Sequence, residues 1–227
     1  RRTLAASAAA LVAAPAFAQP TKPIVIAHRG ASGERPEHTL SAYRLAIDQG
    51  CDFIEPDLVV TKDGHLVVRH ENEIRHTTDV AIRRDFADRK ATKTIDGETV
   101  IGWFTEDFTL AELKSLRCQE RLPALRPGSA KFDGQDAIPT FQEVMDFAKA
   151  EGRRVGRTIG VYPEMKHPTY FASIGLPMEK RLADALKKNG LDRRDAPVFV
   201  QCFEPGPLKT FKTLSKARRV MLVAREG

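Results

Sequence analysis

The stretch FIEPDLVVTKDGHLVVRH, residues 53–70, holds two apolar runs that are separated by a short polar segment. We predict a strand over Asp52 to Val60 and a second strand over Leu66 to His70, because β-branched residues are common in both runs. Between them, Thr61 to Gly64 contains the Asp-Gly pair that is typical of a tight turn. This connection is too short for a helix, so the two strands form a hairpin.

Outside the hairpin, predicted strands and helices alternate along the chain. A strand over Ile24 to Ala27 precedes a helix over Thr39 to Gln49, which Gly50 ends. Thr109 and Thr140 each begin a T-x-x-E pattern, which is typical of a capped helix start. Later strands are predicted over Thr158 to Glu164, Val198 to Phe203 and Val220 to Ala224, and later helices over Met178 to Asn189 and Leu208 to Ala217. The repeated order predicts an α/β fold with a mainly parallel sheet.

Two parts of the chain depart from this alternation. Residues 71–137 are irregular and charged, with Trp103 and Phe104 as their main hydrophobic bulk, and we predict an insertion there. The chain ends just after a predicted strand, so we expect a domain over residues 24–227 that is incomplete at its C-terminus. An incomplete sheet would leave strand edges unpaired.

Residues 1–18 have the composition of a cleaved export signal. Two arginines precede the apolar run from Leu4 to Phe17, and Ala16 to Ala18 fits a cleavage site. The apolar run is too short to span a membrane. We therefore expect a periplasmic or secreted protein with no stable membrane anchor, and the choice between Sec and twin-arginine export stays open.

The overall composition is that of a globular domain, with 42% apolar and 29% charged residues. The net charge of +6 comes from scattered Lys and Arg without interleaved aromatic residues, so we do not expect a nucleic-acid partner. A positive potential still favours a small anionic substrate. The three cysteines, Cys51, Cys118 and Cys202, are expected to be buried thiols, although one bridged pair is possible in an exported protein.

Acidic side chains at predicted strand ends offer a cation site. Glu55 and Asp57 are two residues apart on one strand, so both carboxylates face the same side, and Glu164 offers a third oxygen ligand. Carboxylate ligands suit Ca²⁺ or Mg²⁺ better than zinc. The alternative is that Glu55 and Asp57 form ordinary salt bridges with scattered Lys and Arg.

Basic side chains at the same strand ends suit cleavage of a phosphodiester. His28 and His70 can exchange protons near neutral pH, so one can activate a nucleophile while the other protonates the leaving oxygen. Arg29 can bind two phosphate oxygens at once, and Lys166 adds a point charge. Gly30 would permit a close backbone approach. For His65, His76 and His167 we expect surface or local structural roles.

The order and spacing of these residues closely resemble the glycerophosphodiester phosphodiesterase family, bacterial periplasmic type. The resemblance rests on the segments IAHRG (26–30), PEHT (36–39), FIEPD (53–57), TKDG (61–64), VVRH (67–70), YPEMK (162–166) and QCFE (201–204). It implies a (β/α) TIM-type barrel of the phospholipase C-like phosphodiesterase kind, here cut short at the C-terminus. His38 stands where the family usually has Asn, and Glu71 stands where it usually has Asp.

The resemblance also implies an activity, the hydrolysis of glycerophosphodiesters such as glycerophosphocholine to sn-glycerol 3-phosphate and an alcohol. The implied roles are acid and base for His28 and His70, cation ligands for Glu55, Asp57 and Glu164, and phosphate contacts for Arg29 and Lys166. Two alternatives stay open, a related phospholipase that cleaves intact lipid and a non-catalytic module that binds glycerophosphodiesters. The sequence indicates no oligomeric state.

Overall fold

The computed structural model describes residues 22–224, so the predicted export signal lies outside the described residues. The first half of the domain is built from one helix and four strands around the predicted hairpin. In chain order these elements are β1 (Ile26–His28), α1 (Leu40–Asp48), β2 (Phe53–Glu55), β3 (Asp57–Val60) and β4 (Leu66–Val68).

The region predicted to be an irregular insertion contains more regular structure than expected. A two-stranded antiparallel hairpin stands in it, with a turn at Asp96 and Gly97, whose φ angles are both positive. Two aromatic side chains of the region, Phe104 and Phe108, are fully buried. The elements are 3-10 helices at Asp79–Ile82, Arg84–Arg89 and Thr105–Asp107, strands β5 (Ala91–Ile95) and β6 (Glu98–Gly102), and helices α2 (Leu110–Ser115) and α3 (Pro127–Ala130).

The second half alternates strands with helices, as predicted. The long helix that begins after Thr140 ends where Gly156 adopts a left-handed conformation, with φ at 68°. The elements are α4 (Phe141–Val155), β7 (Gly160–Val161), β8 (Glu164–Met165), α5 (Pro168–Ser173), α6 (Glu179–Lys188), β9 (Phe199–Cys202), α7 (Pro205–Leu214) and β10 (Arg218–Met221).

The parallel strands follow one another in the order of the sequence. Strand β1 pairs with β2, β2 with β7, β3 with β8, β8 with β9, and β9 with β10, all in parallel. Pro56 separates β2 from β3, and Pro163 lies between β7 and β8, because proline has no N–H to donate to a neighbouring strand. The helices pack outside these strands, so the fold is an α/β barrel-type arrangement and the fold class is confirmed.

Local signals explain where several elements begin. Thr109 and Thr140 both form complete capping boxes with Glu112 and Glu143, which confirms the two predicted helix starts. Helix α7 begins at Pro205, three residues before the predicted start, because proline is favoured in the first turn of a helix.

Other differences from the prediction are small. Strand β10 begins two residues earlier than expected and ends at Met221. The three cysteines are free and buried, so the expectation of buried thiols is confirmed. Within the described residues, the structure has no helix long and apolar enough to cross a membrane.

Candidate active site

Strand pairing brings the predicted site residues to one level of the sheet. His28 lies opposite Glu55, Asp57 lies opposite Glu164, and Glu164 lies opposite Gln201. These residues come from neighbouring parallel strands, so their side chains converge at one mouth, where α/β folds place their sites.

The hairpin of β3 and β4 adds His70 at the same level. Val68 pairs with Leu58, and the backbone N–H of Arg69 donates to the carbonyl of Asp57. Because β3 and β4 are antiparallel, the end of β4 lies beside the start of β3. His70, two residues after the end of β4, therefore lies at the level of Asp57.

Three buried carboxylates form the centre of the site. Ligand oxygens of Glu55, Asp57 and Glu164 all lie within 4.8 Å of one another. Burial, together with the charge of Asp57, raises the pKa of Glu55 well above its usual value and that of Glu164 to about 7. Oδ1 of Asp57 is buried without a hydrogen-bond partner among the described residues. Crowded carboxylates with a free buried oxygen fit a hard divalent cation.

Asp57 keeps its charge because other groups outweigh its burial. Burial alone would raise its pKa, but the hydrogen bond from His38 and the charges of His38, His70 and Lys166 hold the pKa below its usual range. His38 departs from the usual family sequence, but nothing in the sequence indicates that its ring contacts Asp57.

Glu55 is held from two sides. The backbone N–H of Arg29 donates to Oε2 at 3.0 Å, and Nε2 of Gln201 donates to Oε1 at 2.8 Å. Arg29 and Gly30 have φ angles of 63° and 83°. A Cβ on Gly30 would lie 2.8 Å from the backbone carbon of Ala42, so the close approach at Gly30 is to helix α1. Sequence reasoning missed the role of Gln201, although it noted the segment.

The basic residues surround the carboxylates. Nζ of Lys166 lies 3.1 Å from Oε1 of Glu164 and 3.4 Å from Nε2 of His70. Nδ1 of His70 lies 2.6 Å from Oε1 of Glu71, out of line with the ring N–H. The nearby carboxylate favours a proton on Nδ1, and this leaves Nε2 as the acceptor.

His28 lies exposed at the end of β1. Burial of part of its ring lowers its pKa, and the neighbouring charges of Arg29 and His70 lower it further. His28 lies opposite Glu55, and His70 follows Arg69 at the level of Asp57, so both histidines lie at the same strand ends.

Arg29 is held by acidic neighbours. Nη1 lies 3.4 Å from Oε2 of Glu37, and Nε lies 3.4 Å from Oδ2 of Asp57. Arg121, from the predicted insertion, contacts the same Glu37 oxygen at 3.0 Å. Among the described residues, these contacts involve Nη1 and Nε of Arg29 but not Nη2.

One histidine outside the predicted site lies close to it. Nε2 of His167 is 3.0 Å from Glu71, and Nδ1 is 2.6 Å from Asp96 at the tip of the β5–β6 hairpin. Burial lowers the pKa of His167, but the two carboxylates outweigh it and the pKa is raised. His65 and His76 keep the local surface positions expected for them.

Comparisons with known proteins agree with this geometry. A model of the Glycerophosphoryl diester phosphodiesterase family matches residues 28–226. A glycerophosphodiester phosphodiesterase of Arabidopsis thaliana is 36% identical over 90% of this chain and 56% of its own length. That of Haemophilus influenzae is 35% identical over 84% of this chain and 52% of its own length. The chain thus spans about half the length of these two relatives.

Solved structures show the same fold. An Oleispira antarctica phosphodiesterase in complex with the product sn-glycerol-3-phosphate has a TM-score of 0.58 and 26% identity, over 87% of this chain and 64% of its own. A glycerophosphodiester phosphodiesterase of Agrobacterium tumefaciens has a TM-score of 0.58 at 22% identity, over 87% of this chain and 66% of its own.

Proposed function

Because the chain belongs to the glycerophosphoryl diester phosphodiesterase family, we propose that it hydrolyses small glycerophosphodiesters with the help of one divalent cation. The observation that carries the proposal is the meeting of two histidines and three buried carboxylates at one level of the parallel strands. The product sn-glycerol-3-phosphate bound to the Oleispira antarctica phosphodiesterase supports the same substrate class.

In this proposal, Glu55, Asp57 and Glu164 hold the cation, which is Ca²⁺ or Mg²⁺. The free Oδ1 of Asp57 and the all-carboxylate donor set support this choice. When bound, the cation supplies positive charge that stabilises the charge developing on the phosphoryl oxygens.

The remaining roles belong to side chains of this chain. Arg29 and Lys166 bind phosphate oxygens, and Nε2 of His70 is available to take or give a proton. One of the two histidines removes a proton from the attacking oxygen, and the other protonates the leaving oxygen of the alcohol. The carboxylate of Glu71 lies beside the other side of this ring, 2.6 Å from Nδ1.

The test is release of sn-glycerol 3-phosphate from glycerophosphocholine and glycerophosphoethanolamine. We expect release that stops when a chelator removes the cation and returns when Ca²⁺ or Mg²⁺ is added. Turnover that survives chelation would contradict the cation assignment. Cleavage of intact phosphatidylcholine instead would indicate a phospholipase, and binding without turnover would indicate a non-catalytic module.

We also propose that the protein acts in the periplasm. The support is the sequence of residues 1–18, with its arginine pair, apolar run and small-residue cleavage pattern. Fusing these residues to alkaline phosphatase, which is active only after export, measures this directly. An inactive fusion would contradict the proposal.

A further inference from the structure

We propose that His38 is a positioning residue that turns Asp57 so that one of its oxygens is presented to the cation. The inference rests on the proposed function, because it assumes that Asp57 is a cation ligand. It assigns a task to the histidine that stands where the family usually has Asn.

The first step is the state of the His38 ring. His38 and Tyr43 are both completely buried. Nε2 of His38 lies 2.9 Å from Oδ2 of Asp57, and Nδ1 lies 2.9 Å from the hydroxyl of Tyr43. A carboxylate oxygen only accepts, so Nε2 must carry a proton and donate it. A buried neutral ring then accepts at Nδ1 from the Tyr43 hydroxyl, whose single proton is shared with the carbonyl oxygen of Glu55 at 3.2 Å.

The second step is the effect on Asp57. Its Oδ2 accepts from Nε2 of His38 and lies 3.4 Å from Nε of Arg29. Its Oδ1 has no such partner among the described residues, although it is buried. The two oxygens therefore have different tasks, since Oδ2 is held by the protein and Oδ1 is left for the cation.

The third step is how firmly His38 itself is held. Its backbone has a φ of 60°, which residues other than glycine seldom adopt. Its N–H donates to the carbonyl of Arg29, and its own carbonyl accepts from Nη2 of the buried Arg69. Thr39, the next residue, caps helix α1. With its backbone held on both sides and its Nδ1 against the Tyr43 hydroxyl, the ring keeps its place beside Asp57.

The experiment measures cation binding directly, by calorimetric titration of the metal-free protein with CaCl₂ and MgCl₂ at one pH. In His38→Asn the short amide suits the positive φ but does not reach Asp57. We expect its Kd to rise by about 10- to 100-fold, the usual effect of losing a partner of a ligand. His38→Gln places an amide N–H near the position of Nε2 and should recover most of the affinity. His65→Asn, at an exposed turn, is the matched control and should bind as the wild type does.

Hydrolysis of glycerophosphocholine by the same samples gives a second readout. We expect the rate of His38→Asn to approach that of the wild type as the cation concentration is raised, since positioning changes cation affinity and leaves the acid and base in place. An unchanged Kd in folded His38→Asn, or no cation binding by the wild type, would overturn the inference. If His38→Asn does not fold, His38→Gln decides the question. A Kd ten times weaker than that of the wild type would then overturn the inference, and a Kd near that of the wild type would support it. Cation binding that depends on His38 in a protein without hydrolysis would overturn the proposed function alone.

Discussion

His28 and His70 reach the same opening from different surroundings. The ring of His70 lies between the ammonium group of Lys166 and the carboxylate of Glu71, so both of its nitrogens face charged groups. His28 lies exposed at the end of β1, where its ring can meet a ligand from the solvent side. The protein therefore fixes the orientation of one ring and leaves the other accessible.

From this arrangement we expect both rings to be needed for catalysis. His28→Ala and His70→Ala should each lower kcat/KM for glycerophosphocholine by about 10²- to 10⁴-fold, the usual contribution of a general acid or base. Steady-state kinetics with circular dichroism as a folding check measures this. His65→Ala is the control, because the side chain of His65 is exposed in the turn between β3 and β4, 3.8 Å from Asp63. A histidine whose loss leaves the rate near normal has no such role.

At this scale the sequence predicts the residues that meet at the candidate site but misses those that hold them in place. His28, Glu55, Asp57 and His70 lie near one another in the chain, so strand alternation and the hairpin predict their meeting. The contact of Gln201 with Glu55 bridges 146 positions of sequence. No local pattern signals such a contact, because it depends on which strands become neighbours.

The β5–β6 hairpin is the element that joins the predicted insertion to the mouth of the site. Asp96 at its tip contacts His167, which in turn contacts Glu71 beside His70. Asp96 and His167 both have positive φ angles, at 50° and 48°. Because both ring nitrogens of His167 face carboxylates, the ring is held as a doubly protonated bridge between the hairpin and the segment that follows β4.

This bridge should make the hairpin sensitive to pH. Its stabilisation is fully present below the ordinary histidine pKa of 6.5 and is lost as the pH rises through the raised pKa of His167. Hydrogen exchange of residues 91–102, corrected for intrinsic rates, measures the opening of the hairpin.

We expect Asp96→Asn and His167→Asn to lower protection by about 1.5- to 5-fold at pH 6, equivalent to about 0.2–1 kcal/mol for a partly exposed ion pair. The difference from the wild type should shrink at higher pH. Glu98→Gln, which removes an exposed carboxylate of β6, is the control. Equal protection in all variants at pH 6 would show that the bridge does not hold the hairpin.

Elements with a strong local signal were predictable, and those that depend on packing were less so. The capping boxes at Thr109 and Thr140 act within one turn, so the sequence alone marks those helix starts. The hairpin was missed, although Asp96 and Gly97 are turn residues, because its strands alternate weakly and charged residues surround it. Pro56 and Pro163 each divide one predicted strand into two short strands. The two divided strands still pair with each other, β2 with β7 and β3 with β8.

At the scale of the whole molecule, a cation bound by the three carboxylates would link the strands that carry them. Glu55, Asp57 and Glu164 come from β2, β3 and β8. Without a cation, their mutual repulsion in a buried place opposes the close packing of these strands. With a cation, the same charges hold the strands together.

Stability should therefore respond to cation and pH together. The pKa of Glu164 is raised to about 7 in the fold. The stabilisation that comes from the raised pKa of Glu164 is fully present below its ordinary pKa of 4.5 and is lost as the pH rises through about 7. The metal-free protein therefore loses stability over that range.

A cation binds only the ionised carboxylates and reverses this loss. We expect the rise in Tm produced by millimolar Ca²⁺ or Mg²⁺ to be larger at pH 8 than at pH 5.5, as measured by differential scanning calorimetry. NaCl of equal ionic strength and Glu164→Gln are the controls, and both should give little rise. A rise that does not depend on pH would contradict a role for these carboxylates.

The distance along the chain between the site's partners also governs when the site can exist. Glu55 and Gln201 meet only after strands from both halves of the domain have become neighbours. Contacts between distant segments form slowly during folding, after local helices and hairpins. A newly made chain therefore lacks this site until the distant strands have paired, and the proposed hydrolysis would begin only once the sheet is assembled.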